Sequence, residues 1–319
     1  MILVTTNPFN YGKEFLSECM ESSLQDQQVV YNGTGCKYSQ SLVRDMLREH
    51  NPEYIIAGTE QYGTEELDIA TNLKMISRVG VGYDSVDLQL CDARGIAVAY
   101  TPMAPAGAVA ELTIQMILRA LRRNDIAEAS LKLGEWVRPV GRSLKESSVG
   151  VIGCGRIGSR VINIVRYIVD VLFTNDIDPE SGYFFCNISL NNVLFNSDVV
   201  TIHIPLNEHN KNFITKKQLD LMRDDAVLLN LSRGGIVNED DLLEHCKTHP
   251  KFTAVVDTFV DEPYSGPMLD QPNIICTPHI GSCTHESRKG MEIGAVENML
   301  WHATDSGDPT YVEHDEQTN

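Results

Sequence analysis

Val149-Gly-Val-Ile-Gly153-Cys-Gly155-Arg-Ile-Gly158 reads as the end of a strand, a glycine turn and the opening of a helix, and the rest of the chain is read outward from it. The β-branched residues before Gly153 suit a buried strand, and the apolar spacing of residues 156 to 168 suits a helix packed on that strand. A GxGxxG in this context gives each glycine a task. Gly153 makes the tight turn, Gly155 lets a diphosphate approach the backbone, and Gly158 lets helix and strand pack closely. The N–H groups of Arg156 and Ile157 then face the phosphates at the positive end of the helix. Asp176 follows at about the 20-residue spacing where an acid receives the ribose hydroxyls. Its neighbours Asn175, Ile177 and Asp178 include no cation to meet a 2′-phosphate, so the expected cofactor is NAD rather than NADP. Asn32-Gly33-Thr-Gly35 lacks the third glycine and reads as a loop.

Short Val- and Ile-rich runs recur on both sides of this motif. Ile2 to Thr5, Val29 to Tyr31, Tyr54 to Ala57, Met75 to Val79 and Ile96 to Ala99 precede it. Val171 to Thr174, Val199 to His203, Ala226 to Asn230, Ala254 to Asp257 and Ile274 to Thr277 follow it, with helical patterns between them. Strands alternating with helices imply parallel sheets, here two of them. The stretch Thr101 to Gly107, with two prolines and small residues, is the expected crossover into a long helix over Ala108 to Arg123, and the return is expected near Ser282. This predicts an α/β chain whose residues 102–283 form a cofactor domain inserted between residues 1–101 and 284–319, which form a substrate domain. The helical pattern Glu286 to Ala303 is too short to stand alone and is expected to pack on the first domain. The polar tail from Asp305 is expected to fray.

A chain of 319 residues with 42% hydrophobic and 22% charged residues has the composition of a two-domain globular protein. Its 26 Lys and Arg against 44 Asp and Glu, a formal charge of -18, disfavour nucleic acid and anionic lipid as partners. Anionic small ligands would need positive potential from local arginines and backbone N–H groups. The eight cysteines form no CxxC pair and no secretory signal opens the chain, which fits a reducing cytoplasm. No apolar run approaches the ~18 residues needed to cross a bilayer.

Three charged residues stand just beyond predicted strands of the second sheet: Arg233 in Asn230-Leu-Ser-Arg-Gly-Gly, Glu262 in Asp257-Thr-Phe-Val-Asp-Glu-Pro and His279 in Thr277-Pro-His-Ile-Gly. Parallel sheets gather ligands at the carboxyl ends of their strands. Each residue suits one task in moving a hydride to or from C2 of a 2-oxo acid. Arg233 holds the carboxylate and polarises the carbonyl, His279 exchanges the proton with the C2 oxygen, and Glu262 orients the imidazole and favours its charged form. Singly each has a plainer reading, as a cationic turn, a helix start or a structural histidine. Together, after a dinucleotide motif, they point to catalysis. His279, Cys283 and His285 match no zinc spacing, so no metal is expected.

With these motifs in order, the chain resembles the D-isomer-specific 2-hydroxyacid dehydrogenases of the phosphoglycerate dehydrogenase-like group, from about Tyr54 to Ala303. The carrying stretches are Arg78-Val-Gly-Val-Gly-Tyr-Asp-Ser-Val-Asp87, Val109-Ala-Glu111, Gly150 to Gly158, Ser197 to Leu206, Asn230 to Val237, Asp257 to Pro263 and Thr277 to Thr284. The resemblance implies a Rossmann NAD-binding domain inserted in a flavodoxin-like substrate domain, D stereochemistry, and Arg233, Glu262 and His279 as the catalytic triad. It implies that Val79, Gly80 and Val81 hold the substrate carboxylate through their amides. It puts Gly153, Gly155, Arg156, Ile157, Gly158, Asp176, His203, Ile204, Pro205, Leu231, Ser232, Arg233, Asp257, His279, Gly281 and Ser282 at the cofactor, with Asp257 on the nicotinamide carboxamide. It also implies a homodimer made through about Ala104 to Arg142, including Trp136.

The first fifty residues match this family only loosely, no regulatory extension follows the last helix, and Asp84-Ser85 replaces a common Asp-Asn. Arg78 and Arg138 stand where phosphoglycerate enzymes carry arginines, which suggests a phosphate or phosphonate on the substrate. Gly58-Thr59-Glu60-Gln61, however, offers an acid where those enzymes offer a cation. The competing readings are an NAD(H)-sensing binding protein like the family's corepressors, and a phosphite- or formate-type dehydrogenase.

Overall fold

Apolar β-branched runs of three to five residues, too short for helices, fold as the buried strands of two parallel sheets, and the amphipathic segments between them cover the faces. The computed structural model describes residues 1–22, 27–178, 186–307 and 309–312. The chain divides into two units, Met1–Pro105 with Thr284–Asn319, and Ala106–Cys283.

The first unit carries β1 (Ile2–Val4), β2 (Val29–Tyr31), β3 (Tyr54–Ala57), β4 (Met75–Arg78) and β5 (Ala97–Ala99) in the order β2-β1-β3-β4-β5. That is the flavodoxin-like winding. Alternate residues feed opposite faces: Leu3, Ile55, Ile76 and Val98 enter one core, and Ile2, Val4, Ile56 and Met75 the other. Met291, Ala295 and Met299 of the helix His285–Thr304 close the second core, so the last long helix belongs to this unit.

The second unit carries β6 (Ser148–Ile152), β7 (Val171–Asn175), β8 (Cys186–Asn187), β9 (Val199–Ile202), β10 (Val227–Asn230), β11 (Thr253–Val256) and β12 (Ile274–Cys276). Their order is β12-β11-β10-β9-β6-β7-β8, all parallel. From β6 the chain winds outward to β7 and β8, then returns to lay β9 on the other side of β6. This is the Rossmann order extended by one strand, and its switch point lies between β6 and β9, where such sheets open a crevice for ligands.

Three local expectations are corrected. The helix after the glycine turn runs only Gly158–Val165, because residues 155 to 157 are used by the turn itself. The long helix begins at Pro105, where a missing N–H costs nothing. The tail is anchored over residues 309–312: Tyr311 bridges Ala99 in antiparallel sense, and Val312 N–H donates to Val98 O at 2.8 Å. Among the described residues no helix is long and apolar enough to cross a membrane, and no three His, Cys, Asp or Glu side chains are grouped to hold a metal ion.

Candidate active site

The glycine turn follows β6 directly. Gly153 has φ +88 and donates its N–H to Asn175 O at 2.8 Å; a Cβ there would lie 2.5 Å from His203 O. A Cβ on Gly158 would lie 1.9 Å from Gly153 O, so turn and helix close on each other as only glycine permits. Gly155 differs, since nothing stands within 4 Å of the place its Cβ would take. Arg156 is exposed and Ile157 half-buried beside that open backbone.

Asp176, at the end of β7, is wired to the turn. Its Oδ2 accepts from Cys154 N–H at 2.5 Å and its Oδ1 from Asp178 N–H at 2.9 Å. Its own N–H donates to Asn187 Oδ1 at 3.3 Å, which gives the two-residue β8 a role that sequence patterns of such length do not reveal. Across β6, His203 N–H donates to Ile152 O at 2.7 Å, and His203 Nε2 pairs with Thr201 Oγ1 at 3.0 Å. Burial pushes the His203 imidazole down to about 3, so the ring is neutral. Its Nδ1 is buried without a partner among the described residues. Ile204 is half-buried and Pro205 exposed after it. An open stretch of backbone at a helix start, an acid at the next strand end and an orphaned buried nitrogen beside the turn are what a dinucleotide requires, and the residues fit NAD.

Arg233, Glu262 and His279 follow β10, β11 and β12. Buried Asn230 shapes the first loop: its Oδ1 accepts from Ser232 N–H and Oγ–H, and its Nδ2 donates to Arg233 O at 2.8 Å. Leu231 and Ser232 are buried there, and Arg233 Nη1 donates to Ser232 O at 2.8 Å. Asp257, only 1% exposed, organises the loop of His279. Its Oδ1 accepts from Thr277 Oγ–H at 2.6 Å and Ile280 N–H at 2.9 Å, and its Oδ2 from Gly281 N–H at 2.9 Å. His279 sits between these anchors in the left-handed region at φ +51, its N–H donating to Asp257 O, with half-buried Ser282 just beyond. Its Nδ1 lies 3.0 and 2.8 Å from the two oxygens of Glu262, whose Oε1 also accepts from Phe259 N–H. A carboxylate only accepts, so Nδ1 carries the proton and Nε2 is left to exchange one.

Sequence reasoning passed over Glu239. Its Oε1 accepts from Val260 N–H at 2.7 Å, next to the Phe259 amide bound by Glu262. Burial, then Asp261, Asp240 and Glu262, push its carboxyl above the usual range against the opposing Val260 bond. The signal is long-range contact with a loop 21 residues away, which no local pattern carries.

In the first unit the expected substrate residues behave differently. Val79 N–H donates to Ala57 O at 3.0 Å and Gly80 N–H to Thr101 Oγ at 2.8 Å, so two of the three amides expected to hold a carboxylate are spent internally. Val81 and Gly82 amides have no such partner among the described residues. Arg78 is 4% exposed, and its guanidinium donates to Ala57 O at 3.2 Å and to Gly82 O at 3.1 and 2.9 Å. It braces backbone where a phosphate ligand was expected. Arg138 lies in the second unit, exposed in the stretch between the helix Asn124–Lys132 and β6.

A dinucleotide turn and a carboxylate-held histidine at the carboxyl edge of one parallel sheet define a nicotinamide-dependent oxidoreductase. Residues 114–281 match the family model described as D-isomer specific 2-hydroxyacid dehydrogenase, NAD binding domain. The chain belongs to the D-isomer specific 2-hydroxyacid dehydrogenases, which are NAD-dependent enzymes. It is 31% identical over 277 residues to a glyoxylate reductase of Thermococcus litoralis, covering 82% of this chain and 83% of that one. It is 36% identical over 234 residues to a D-3-phosphoglycerate dehydrogenase of Methanocaldococcus jannaschii, 70% of this chain but 44% of that protein, so it spans less than half of that relative's length. Among solved structures, the TT0316 protein of Thermus thermophilus superposes with a TM-score of 0.86 at 27% identity, covering 98% of this chain and 99% of that one.

Proposed function

We propose that the chain transfers a hydride between NAD(H) and C2 of a small D-2-hydroxy or 2-oxo acid. The observation that carries this is the His279 Nδ1–Glu262 pair at 2.8 Å, held at the end of β12 by the buried Asp257. When bound, the nicotinamide supplies or accepts the hydride. In the reducing direction His279 Nε2–H gives its proton to the C2 oxygen, while Glu262 keeps Nδ1–H in place and balances the charge of the imidazolium. Arg233 holds the substrate carboxylate and polarises the C2 oxygen. The amides of Val81 and Gly82, rather than those of Val79 and Gly80, are the donors of the first unit that a carboxylate would use. Asp176 takes the ribose hydroxyls through the second lone pairs of its oxygens, and its charge disfavours a 2′-phosphate. Asp257 doubles as the holder of the nicotinamide carboxamide and the positioning residue of the His279 loop.

We assign residues 102–283 to cofactor binding and residues 1–101 with 284–319 to substrate binding, and a homodimer to the stretch that exposes Leu133 by 77%, Trp136 by 81% and Val140 by 98%. Among the described residues seven thiols are free and three of them buried, which suits a reducing cytoplasm. A second anionic group on the substrate loses its main support with the commitment of Arg78 to backbone. The test is NADH oxidation against hydroxypyruvate, glyoxylate, pyruvate, 3-phosphohydroxypyruvate and phosphonopyruvate. Turnover of at least one, falling roughly 10²- to 10⁴-fold in His279→Ala, is expected. Silence across the panel with NADH tightly bound would overturn the proposal in favour of an NAD(H) sensor.

A further inference from the structure

The sheet of the first unit ends at β5, which among the described strands pairs with β4 alone, so the backbone groups on its far side must be met by something else. The tail meets them. Tyr100 N–H donates to Thr310 O at 3.1 Å and Val312 N–H to Val98 O at 2.8 Å, with Tyr311 opposite Ala99 in antiparallel sense between them. Buried Asn298, on the helix His285–Thr304, joins both partners: its Nδ2 donates to Tyr100 O at 3.1 Å and its Oδ1 accepts from Thr310 N–H at 2.9 Å.

Side-chain packing adds little to this attachment. Thr310 and Tyr311 are exposed, and Val312 is half-buried against the core of Ile76, Ile96 and Val98. Beside them an open groove of about 310 Å³ is walled by Leu88, Cys91, Ile96, Val98, Tyr311 and Val312. Atoms that face such space lose the contacts packing would give, so backbone hydrogen bonds carry most of the hold.

The pattern that β5 presents to the tail is its own complement. Val98 O and Tyr100 N–H flank Ala99 and face the same side, since both bond to the tail. In an antiparallel pair centred on a non-hydrogen-bonded position, the residue before it accepts and the residue after it donates on each strand. Two β5 strands related by a two-fold axis at Ala99 would therefore give each Tyr100 N–H the Val98 O of the other copy. The opposed residues of such a pair come closest, with about 4.5 Å between Cα atoms. Ala99 brings only a methyl group to that approach.

We propose that residues 309–312 are a detachable guard strand, and that the edge they cover is a docking surface for a second copy of this chain. Once the tail leaves, β5 pairs with β5 in antiparallel register about Ala99 and joins two five-stranded sheets through one isologous contact. This surface lies on the first unit, whereas the exposed apolar stretch around Trp136 lies on the second.

The test is the full chain carrying Thr310→Pro and Val312→Pro, which removes both N–H groups that the tail donates and alters neither β5 nor the helix. Light scattering gives the particle mass over a range of concentrations, and hydrogen exchange reads the Tyr100 amide, with the amides of Ile55 and Ile56 in β3 as the control for the sheet. Wild-type protein is expected to keep one mass with Tyr100 protected throughout. In dilute variant Tyr100 should exchange about 10-fold faster than in wild type. As concentration rises the variant's mass should at least double relative to wild type, and Tyr100 should regain its protection. A variant whose Tyr100 exchanges freely at every concentration without gain in mass would overturn the inference. So would a gain in mass that leaves Tyr100 unprotected, because the copies would then meet elsewhere, and so would unchanged Tyr100 protection in the dilute variant, because these bonds would not be what holds the strand. If the double variant also loses protection in β3, Val312→Pro alone, which spares the Asn298 contact, carries the same expectations at higher concentration.

Discussion

At the carboxyl edge of β6–β12, buried Asn230 and Asp257 spend their side chains on the loops that carry Arg233 and His279. At the same edge of β1–β5, Arg78 donates to backbone oxygens of β3 and of the loop after β4, and Thr101, just after β5, accepts from the Gly80 N–H of that loop. Both edges belong to doubly wound parallel sheets, but they use their polar atoms differently. In the second unit the polar interior holds reacting groups in one geometry. In the first it ties the loops after β3, β4 and β5 to one another. Residues of the same type thus carry different meanings: Arg233 at a half-buried strand end is a candidate ligand, and Arg78 at a buried one is a brace.

A substrate role for Arg78 would erase this difference between the two edges. Removing its fork leaves Ala57 O and Gly82 O without their charged donors, so Arg78→Leu should destabilise the first unit by about 3 kcal/mol. Arg78→Lys should recover only part of that, because a point charge cannot span both carbonyls. Hydrogen exchange at β3 and β4 amides measures this. Unchanged protection, with a rise in KM confined to phosphorylated acids, would return Arg78 to the substrate.

Acid should separate the units. Burial pushes His203 down to about 3 and His245 down to about 4, the latter helped by His249. Both lie in the second unit. Unfolded, each binds a proton near the ordinary histidine value, so the unfolded state holds more protons as pH falls between about 6.5 and these values, and stability is lost in that window. The loss is up to about 1.4 kcal/mol per pH unit for each ring. Among the described residues the first unit carries one such ring, His302, lowered chiefly by burial. Amides of β9 and β10 should therefore lose protection between pH 6.5 and 4.5 faster than those of β3, and His245→Leu should remove about half of the difference. Parallel loss in both units would show that carboxylates, not histidines, govern the acid limb.

What could be read from sequence follows from the range of the signal. The turn Gly153 to Gly158 is local, since strand, glycines and helix lie within ten residues, and the strand-end positions of Arg233, Glu262 and His279 follow from counting apolar runs. The partners of Arg78 could not be read, because Ala57 meets it only once β3 and β4 pair, and Gly82 O only once the loop after β4 turns back on the guanidinium. The tail escapes local reading for the same reason: Tyr311 and Val312 sit in a polar segment, and their place against β5 depends on an edge that exists only in the folded sheet. The strand β8, at two residues, has no periodicity to detect.

Glu239 sharpens the comparison most finely, because it belongs to the second unit yet touches no reacting group. It holds the Val260 amide while Glu262 holds the adjacent Phe259 amide, so two glutamates fix successive N–H groups of one loop, and only one of them meets His279. Glu239→Ala should free that loop and lower kcat by about 5-fold, the worth of one hydrogen bond, through a less constrained Glu262. Glu239→Gln keeps an acceptor for Val260 and should restore most of the rate. KM for NADH should hold in both variants, since Gly153, Gly155 and Asp176 lie on other loops. If KM for NADH rises as far as kcat falls, Glu239 supports the cofactor rather than the triad, and the division of labour between the side chains of this edge must be redrawn.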